Sequence, residues 1–546
     1  MTKYIIVNAD DFGYTEGVTK GIIEAHKNGI VTSTSLMVDS DYAKEAAELA
    51  KKYPKLGIGL HFTATDCRGK ILFDLDDVNK VREELNRQYK KFCKIVGKQP
   101  THLDSHHHIH MQDNLKPLFL GFAEEYCFPL RHSGTINYNG GFYGQWYDEK
   151  GNPNPCHECI SAENLKKILQ NIPEGISEIC CHPGYVSSNL NDHYNKEREV
   201  ELTSLLDSDV AKLIYKLDIE LINFSKVWSA LFPDNRTLIA GFNSIFGKNK
   251  IRLINRKPNI YASTFPTEIV TCKLNDGRKL HLFCKYGAGK NYNDLFTYGH
   301  RGGIMYESEV YNNILNQLCL SKPKFYGSFN GVKGQTLLIL ENINTCMRIG
   351  ELSNPTNAMK MAANWLGKFH NANQNHISDV KNKFLRIYNA QHYIEMAHKT
   401  SVSAGRLHYR FPWLLTLCER FEKFINQALI QPDAIIHNEF CTENILVHDG
   451  EIYPVDWEST TIAMGEMDLA SLIDGWPKKI AQQCELEYQR ARWPNGSPSD
   501  FEKRLWTARL YLQLLWLGDM PYWTTLKGNS WRFRQMHLAG KRLGLI

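Results

Sequence analysis

The stretch KYIIVNADDFG (Lys3–Gly13) begins as a β-branched run and ends on two adjacent carboxylates and a glycine. Its first part, KYIIVN over residues 3–8, reads as a short buried strand because it is apolar and rich in Ile and Val. Working outward, the pattern recurs in STSLMV (33–38), GIGLHF (57–62), THLDS (101–105), PLRHS (129–133), EICCHP (178–183) and IELINF (219–224). Between these runs lie GVTKGIIEAHKNG, YAKEAAELAKKY and VNKVREELNRQYKKFCKIV, with apolar residues at the three- and four-residue spacings of helices. Strand alternating with helix predicts an α/β domain with a parallel sheet. Without a dinucleotide glycine fingerprint, the reading for residues 1–230 is a (β/α) barrel.

Barrel chemistry sits at the C-terminal ends of strands. Asp10 and Asp11 directly follow the first strand, His61 ends GIGLHF, Asp104 and His106 end HLDS, and His182 ends EICCH. Four strands therefore send carboxylates and imidazoles to the same end. That placement gives THLDSHHHIHMQ (Thr101–Gln112), with five histidines in nine residues, more meaning than a solvated histidine-rich loop. Such donors suit zinc or, less selectively, magnesium or another divalent ion. A bound ion acidifies water and a nearby carboxylate takes its proton, so NADDFG offers one aspartate for each task. His182, arriving from another strand, can protonate a leaving amine.

At 546 residues the chain predicts two large domains. A composition of 43% apolar and 23% charged residues is that of a globular protein. Net charge +5 is small for this length, and no RNA-binding signature, helix-turn-helix pattern or basic arm accompanies it, so nucleic acid is not an expected partner. A charged pair by residue 10 excludes the apolar core of a signal peptide, and no run of ~18 apolar residues predicts a membrane span. The expected location is cytoplasmic. The fourteen cysteines lie mostly in apolar runs and read as small buried hydrophobes. CHEC (Cys156–Cys159) has no second CxxC at finger spacing and no thioredoxin-like context, so it is assigned no zinc or redox role.

Residues 231–258 read as a solvated linker, with Lys248, Lys250, Arg252, Arg256 and Lys257 close together. Residues 259–546 read as a second, α+β domain: a small β lobe over about 259–342, including TEIVTCKLNDG and RKLHLFCKYG, and a helical lobe over about 343–546. Within it, AIIHNEFCTENILVHDGEIYPVDWES (Ala434–Ser459) has the form of a catalytic loop followed by a metal-binding strand.

NADDFG, GIVTSTSLMV, GLHF, THLDSHHHIH and CHPG together resemble the motif set of the YdjC/ChbG-type carbohydrate deacetylases, over about Met1 to Trp228. The resemblance implies removal of an N-acetyl group from an amino sugar or oligosaccharide. It implies Asp11, His61 and His106 as metal ligands, Asp10 as general base, His182 as general acid and Asp104 as the residue orienting a ligand. His107, His108 and His110 would be structural or line the groove.

About Asn259 to Gly475 resembles the aminoglycoside/choline phosphotransferase branch of the kinase-like fold, which is two-lobed. This second resemblance implies ATP with magnesium. Lys285 and Glu307 would position the nucleotide phosphates, and the hinge LLILENIN (Leu337–Asn344) would receive adenine near Leu340 and Asn342. His437 and Glu439 would be the His and Asp of the loop, and Asn444 and Asp456 the magnesium ligands. Glu439 departs from the usual aspartate by one methylene, ~1.5 Å, and misplacements near 1 Å cost ~100-fold in rate. Two readings follow: a bifunctional enzyme that also phosphorylates a small-molecule hydroxyl, or a deacetylase with a non-catalytic nucleotide-binding or regulatory module.

Overall fold

The structure, a computed structural model, describes residues 3–66, 69–133, 136–148, 152–186, 194–247, 251–259, 265–288, 302–331, 335–377, 384–427, 432–520, 524–525 and 527–546. It divides into two compact units, residues 1–280 with 284–288, and residues 281–283 with 289–546.

The first unit runs β1 (Lys3–Phe12), α1 (Glu16–Asn28), β2 (Ser33–Leu36), α2 (Ala43–Ala50), β3 (Gly57–Phe62), α3 (Val78–Val96), β4 (Leu103–Ser105), α4 (Lys116–Tyr126) and β5 (Ile136–Asn139). A hairpin of β6 (Gln145–Tyr147) and β7 (Pro153–Pro155) follows, then α5 (Ala162–Asn171), β8 (Gly175–Cys181), α6 (Lys196–Leu205), α7 (Ser208–Lys216) and β9 (Ile219–Leu221). Its main sheet is parallel, in the order β4-β3-β2-β1-β8-β5, with β9 beside the first half of β1. Leu130 forms a parallel bridge with Leu103 on the outer edge of β4, while β5, just beyond it in sequence, holds the opposite edge. The sheet therefore curls into an incompletely closed (β/α) barrel.

Strand side chains alternate between two faces. Ile5, Val7 and Ala9 of β1, Ile58, Leu60 and Phe62 of β3, Leu103 of β4 and Ile179 and Cys181 of β8 join one large apolar core that includes residues of α1–α5. The intervening residues turn to the barrel interior and form layers. At the bottom, Ile6, Ile136, Ile176, Ile222, Phe224 and Val227 close it with a smaller apolar cluster. Above them come Asn8, Ser35, His102 and Glu178, all fully buried, and above those Asp10, His61 and Asp104. Gly59 is required in this stack, since a Cβ there would lie 2.3 Å from the His102 ring.

Arg131 crosses the polar layers. Its Nε donates to Glu178 Oε1 at 2.7 Å, its two terminal nitrogens donate to the two oxygens of Asp10 at 2.7 Å each, and one of them lies 3.1 Å from Asp104 Oδ2. This side chain explains why PLRHS, expected as a strand, is one only at Leu130. Arg131 must turn inward to reach three carboxylates, and His132 adopts φ +62°, which ends the extended chain. The strand at this point in the order is β5.

The expected linker over 231–258 is instead built into the first unit. It holds a helix, Asn235–Phe246, capped by Asp234, and a strand, Ile251–Asn259, paired antiparallel with Thr267–Leu274. Arg256 is held by Glu268 at 2.6 Å and by the Pro233 carbonyl at 2.8 Å, and Lys257 reaches Glu124 at 3.1 Å. A basic run read from composition alone looks solvated because its acceptors are distant in sequence. Lys248 and Lys250 lie outside the described residues. Cys156 and Cys159 are joined by a disulfide, a link that their isolated spacing did not suggest.

The second unit is α+β. Phe325–Asn330 pairs antiparallel with Gln335–Glu341. Two three-stranded sheets, one from Met347–Arg348, Ile445–His448 and Glu451–Pro454, the other from Arg386–Ile387, Thr461–Ala463 and Ala434–Ile436, flank the loop at 437–444. Long helices make up most of the rest, among them Thr356–Asn373, Ala390–Leu407, Lys478–Arg492 and Phe501–Asp519. Among the described residues no helix is long and apolar enough to cross a membrane.

Two predictions follow from the interior charges. Arg131→Met leaves Asp10 and Asp104 buried without their cation, and the first unit should lose roughly 3–5 kcal/mol in urea unfolding. Burial pushes the Glu178 carboxyl from 4.5 up to about 7 against the pull of Arg131. Between those values the folded chain keeps a proton that the unfolded chain releases, so this group's contribution falls as pH rises through the window and levels off above it. In Glu178→Gln the calorimetric Tm should therefore decline less than in the wild type between pH 4.5 and 7.

Candidate functional site

The pairing register places the strand-end residues. Ala9 pairs with Cys181, which brings Asp10 level with His182, and His61 pairs directly with Asp104. Against β2, the register of β1 shifts between Ala9 and Phe12, and Asp11 sits at φ +65° in the left-handed region. This bulge re-aims the chain so that adjacent carboxylates, which a regular strand would point to opposite faces, both line one cavity. The cavity measures about 750 Å³ and is also lined by His61, His106, Tyr138, Tyr143 and His182.

Asp11, His61 and His106, expected as ligands, converge there. Asp11 Oδ1 is 3.5 Å from His61 Nε2 and 3.4 Å from His106 Nδ1, is buried, and has no hydrogen-bond partner. Around a tetrahedral ion with bonds of about 2.0–2.2 Å, neighbouring donor atoms lie about 3.4 Å apart. The three donors thus fit one divalent ion. Asp104, expected to orient a ligand, bonds His61 Nδ1 at 2.7 Å and so presents Nε2 to Asp11. Burial disfavours a proton on His61, but Asp104, Asp10 and Asp11 outweigh it and push its pKa up to about 9. The same negative surroundings favour a cation in the proton's place.

Asp10 reaches the cavity as expected, but both its oxygens are engaged by Arg131, and Oδ1 also accepts from Asn8 at 2.8 Å. Burial opposes its ionisation, yet the guanidinium prevails and holds the carboxyl down to about 2. Asp10 is therefore ionised and fixed in place, and is a weak proton acceptor in its own right. Burial likewise opposes ionisation of Asp11, but Arg198, His106 and His182 together outweigh it and hold the carboxyl well below the usual range: the guanidinium donates to Oδ2 at 2.8 Å and leaves Oδ1 to the imidazoles.

The remaining histidines of the opening cluster have separate tasks. His102 stacks on Phe224 at 3.8 Å beneath the site. His107 and His108 occupy the left-handed region at φ +53° and +51°, a strain of roughly 1–2 kcal/mol each. Side-chain bonds hold that kink: His107 with Thr65 at 2.8 Å, His108 with Tyr138 at 3.3 Å and His110 with Ser105 at 2.6 Å. The kink aims His106 inward while His107 and His108 line the cavity wall.

His182 lines the cavity beside Tyr143 and Tyr194. Behind it is Glu201 of α6, which accepts the His182 backbone N–H and the Tyr194 hydroxyl. Arg131, Arg198 and Glu201 were not among the expected site residues. Arg131 sits in a run that reads as a strand, and Arg198 and Glu201 lie in the charged stretch KEREVELTSL, which carries no motif, so only their burial reveals them.

In the first unit, Lys285 is buried, its ammonium 5.5 Å from the Phe265 ring. In the second, carboxylate oxygens of Glu307, Asp456 and Glu458 come within 4.8 Å of one another, and Glu307 accepts the Trp457 N–H at 3.2 Å. Leu340 is buried in its strand, and the Asn342 N–H is taken by the His281 carbonyl at 3.0 Å. His437 bonds the Val455 carbonyl at 2.9 Å, and Asp468 accepts the backbone N–H groups of His437 and Asn438 at 2.7 Å each. Asn444 donates to the Glu439 carbonyl at 3.1 Å, and Ser459 donates to the Glu439 carboxylate at 3.1 Å.

The chain is similar to known proteins in two separate stretches. The family described as YdjC-like protein matches residues 4–216, and the phosphotransferase enzyme family matches residues 347–498. A carbohydrate deacetylase of Thermoanaerobacter pseudethanolicus is 35% identical over 255 residues, 41% of this chain and 98% of that protein. A chitooligosaccharide deacetylase of Yersinia pestis is 33% identical over 263 residues, 41% of this chain and 99% of that protein. Among solved structures, the choline kinase LicA from Streptococcus pneumoniae is similar at 15% identity and a TM-score of 0.36, covering 54% of this chain and 95% of that one. The chain belongs to the YdjC-like family through its N-terminal part, and a phosphotransferase-family domain follows in the same polypeptide.

Proposed function

We propose that the first unit removes the acetyl group from an N-acetylated amino sugar or short oligosaccharide with the help of a divalent cation. The observation that carries this reading is the convergence of Asp11 Oδ1, His61 Nε2 and His106 Nδ1 in the same cavity as Asp10 and His182. Two imidazoles and one carboxylate favour zinc or a similar transition ion over magnesium, which prefers oxygen donors. Bound there, a cation would supply charge stabilisation for the acetyl oxygen and make water acidic enough to attack near neutral pH.

The chain's own groups do the rest. Asp10, fixed by Arg131, accepts the proton of the attacking water; its low basicity means that placement contributes more than proton affinity. His182, beside it at the end of the neighbouring strand β8, gives a proton to the departing amine. Tyr138 and Tyr143 offer faces on which a sugar ring can rest.

For the second unit the family match supports nucleotide-dependent transfer of phosphate to a small-molecule hydroxyl, with Asp456 and Asn444 toward magnesium and Glu439 toward the acceptor. A second reading, a nucleotide-binding module that regulates the deacetylase, is favoured by one observation: Glu439 replaces the usual aspartate and its carboxylate takes a hydrogen bond from Ser459.

Acetate release from a panel of N-acetylated sugars should vanish with a chelator and return with zinc. His61→Ala should lose the bound metal, whereas Asp10→Asn should keep it and lose ~100-fold or more in kcat. Release that persists in the metal-free protein sinks the reading. ATP separates the two readings of the second unit. A transferase forms ADP only with an acceptor present and loses this in Asp456→Asn, whereas a regulatory module changes acetate release without consuming ATP.

A further inference from the structure

We infer that Glu201 is the positioning residue for His182, keeping its imidazole charged with one N–H directed at the carboxylate and the other at the cavity. This rests on the deacetylase reading, in which His182 is the proton donor.

Glu201 is fully buried on α6. Its two hydrogen-bond donors, the His182 backbone N–H and the Tyr194 hydroxyl, are neutral. A buried carboxylate normally has a cation beside it, because taking an unpaired charge out of water is unfavourable. Among the described residues, the side chain able to supply one within 4.0 Å is His182, whose Nδ1 lies 3.8 Å from Oε1. Arg198, one turn away on the same helix, is directed to Asp11. The complementary observation is on the imidazole: His182 Nδ1 is buried and has no hydrogen-bond partner. An unsatisfied ring nitrogen and a carboxylate lacking a cation thus face each other just beyond bonding distance.

The other groups around the ring leave this pairing intact. Asp10 and Asp11 come from the end of β1, Cys180 from β8, Arg198 from α6, and Tyr143 and Tyr194 from the chain between the strands. Asp10 is paired with Arg131 and Asp11 with Arg198, so Glu201 acts on His182 most strongly and the two aspartates add to it less. Burial disfavours the imidazolium, but the adjacent Glu201 carboxylate outweighs it and holds the pKa above the ordinary histidine value. Tyr194 also accepts the Gly144 N–H at 2.7 Å, so the same carboxylate braces the cavity wall around Phe142–Gln145.

In the reaction, water adds its oxygen to the acetyl carbon and gives a proton to Asp10. As the C–N bond breaks, its electron pair stays on nitrogen, and the Nε2 proton of His182 moves to that nitrogen. The products are the free amine and acetic acid, whose hydroxyl proton, like the one taken up by Asp10, passes to solvent to leave acetate and an ionised Asp10. His182 becomes neutral, and Glu201 remains ionised and takes no proton.

The test compares Glu201→Gln and Tyr194→Phe with the wild type in the zinc-loaded full chain, reading kcat, KM and bound zinc across pH. Glu201→Gln should lower kcat roughly 10- to 100-fold, leave KM and zinc content unchanged, and move the alkaline limb of kcat to lower pH. Tyr194→Phe, which keeps the carboxylate, should leave that limb in place. An unmoved limb in Glu201→Gln overturns the inference. The carbon-13 signal of the His182 imidazole, assigned by its loss in His182→Ala, needs neither variant to fold nor a substrate. It should titrate above the ordinary ~6.5 in the wild type, and titration at or below that value overturns the inference as well. If no amide yields acetate but the signal titrates high, the deacetylase reading fails and the pairing stands.

Discussion

The Arg131 guanidinium is the one cation set against carboxylates from three strands, Asp10 on β1, Asp104 on β4 and Glu178 on β8. Its planar fork can serve all three at once, which a lysine ammonium could not do with the same geometry. What happens at the mouth of the barrel depends on this. With one side of Asp104 turned to Arg131, its other oxygen is directed to His61 Nδ1, and that bond decides which nitrogen His61 shows to the cavity. Without the guanidinium, the interior would hold carboxylates close together in a medium of low dielectric, where repulsion raises their pKa values and favours their neutral forms.

The same logic extends around the site. Asp10 is backed by Arg131, Asp11 by Arg198, His61 by Asp104 and His182 by Glu201. Each backing group has the opposite charge; Arg131 takes both oxygens of Asp10, whereas Asp11 Oδ1 is left when Oδ2 is taken, and His61 Nε2 when Nδ1 is taken. A side chain tethered at one end and open at the other is already oriented before a ligand arrives, which removes part of the ordering cost of binding. Arg198 and Glu201 lie three residues apart on α6, so one helix face supplies opposite charges to the ends of the adjacent strands β1 and β8.

The front row of this arrangement was legible in the sequence and the back row was not. Strand-end carboxylates and imidazoles stand out because apolar runs with period-two alternation announce the strands before them, and the register then fixes their height. Arg131 lies in a run that reads as an ordinary strand and Arg198 and Glu201 in a charged stretch without a motif, and their partners are far away along the chain. Arg256 was misread for the same reason, as its acceptor Glu268 belongs to a strand that pairs with its own. Among the five clustered histidines, residue type carries no distinction: His106 joins the ligand group because it follows β4 directly, and His110 is structural because Ser105 lies beneath it.

In the second unit, the exchange of aspartate for Glu439 has to be weighed against the state of the loop that carries it. That loop is not relaxed. Asn438 in the loop, and Asp456 beyond the hairpin that follows it, hold left-handed backbone at φ +72° and +69°, conformations that cost roughly 1–3 kcal/mol each and persist where the surroundings enforce them. The enforcement comes from bonds independent of the Glu439 side chain: Asp468 to two successive N–H groups, His437 to the Val455 carbonyl and Asn444 to the Glu439 carbonyl. A loop whose catalytic use had been lost would gain stability by relaxing these positions. Here the strain and the bonds that maintain it are both intact, and the longer carboxylate is met by the Ser459 hydroxyl. The substitution is thus accommodated by a defined partner within a loop still held in shape.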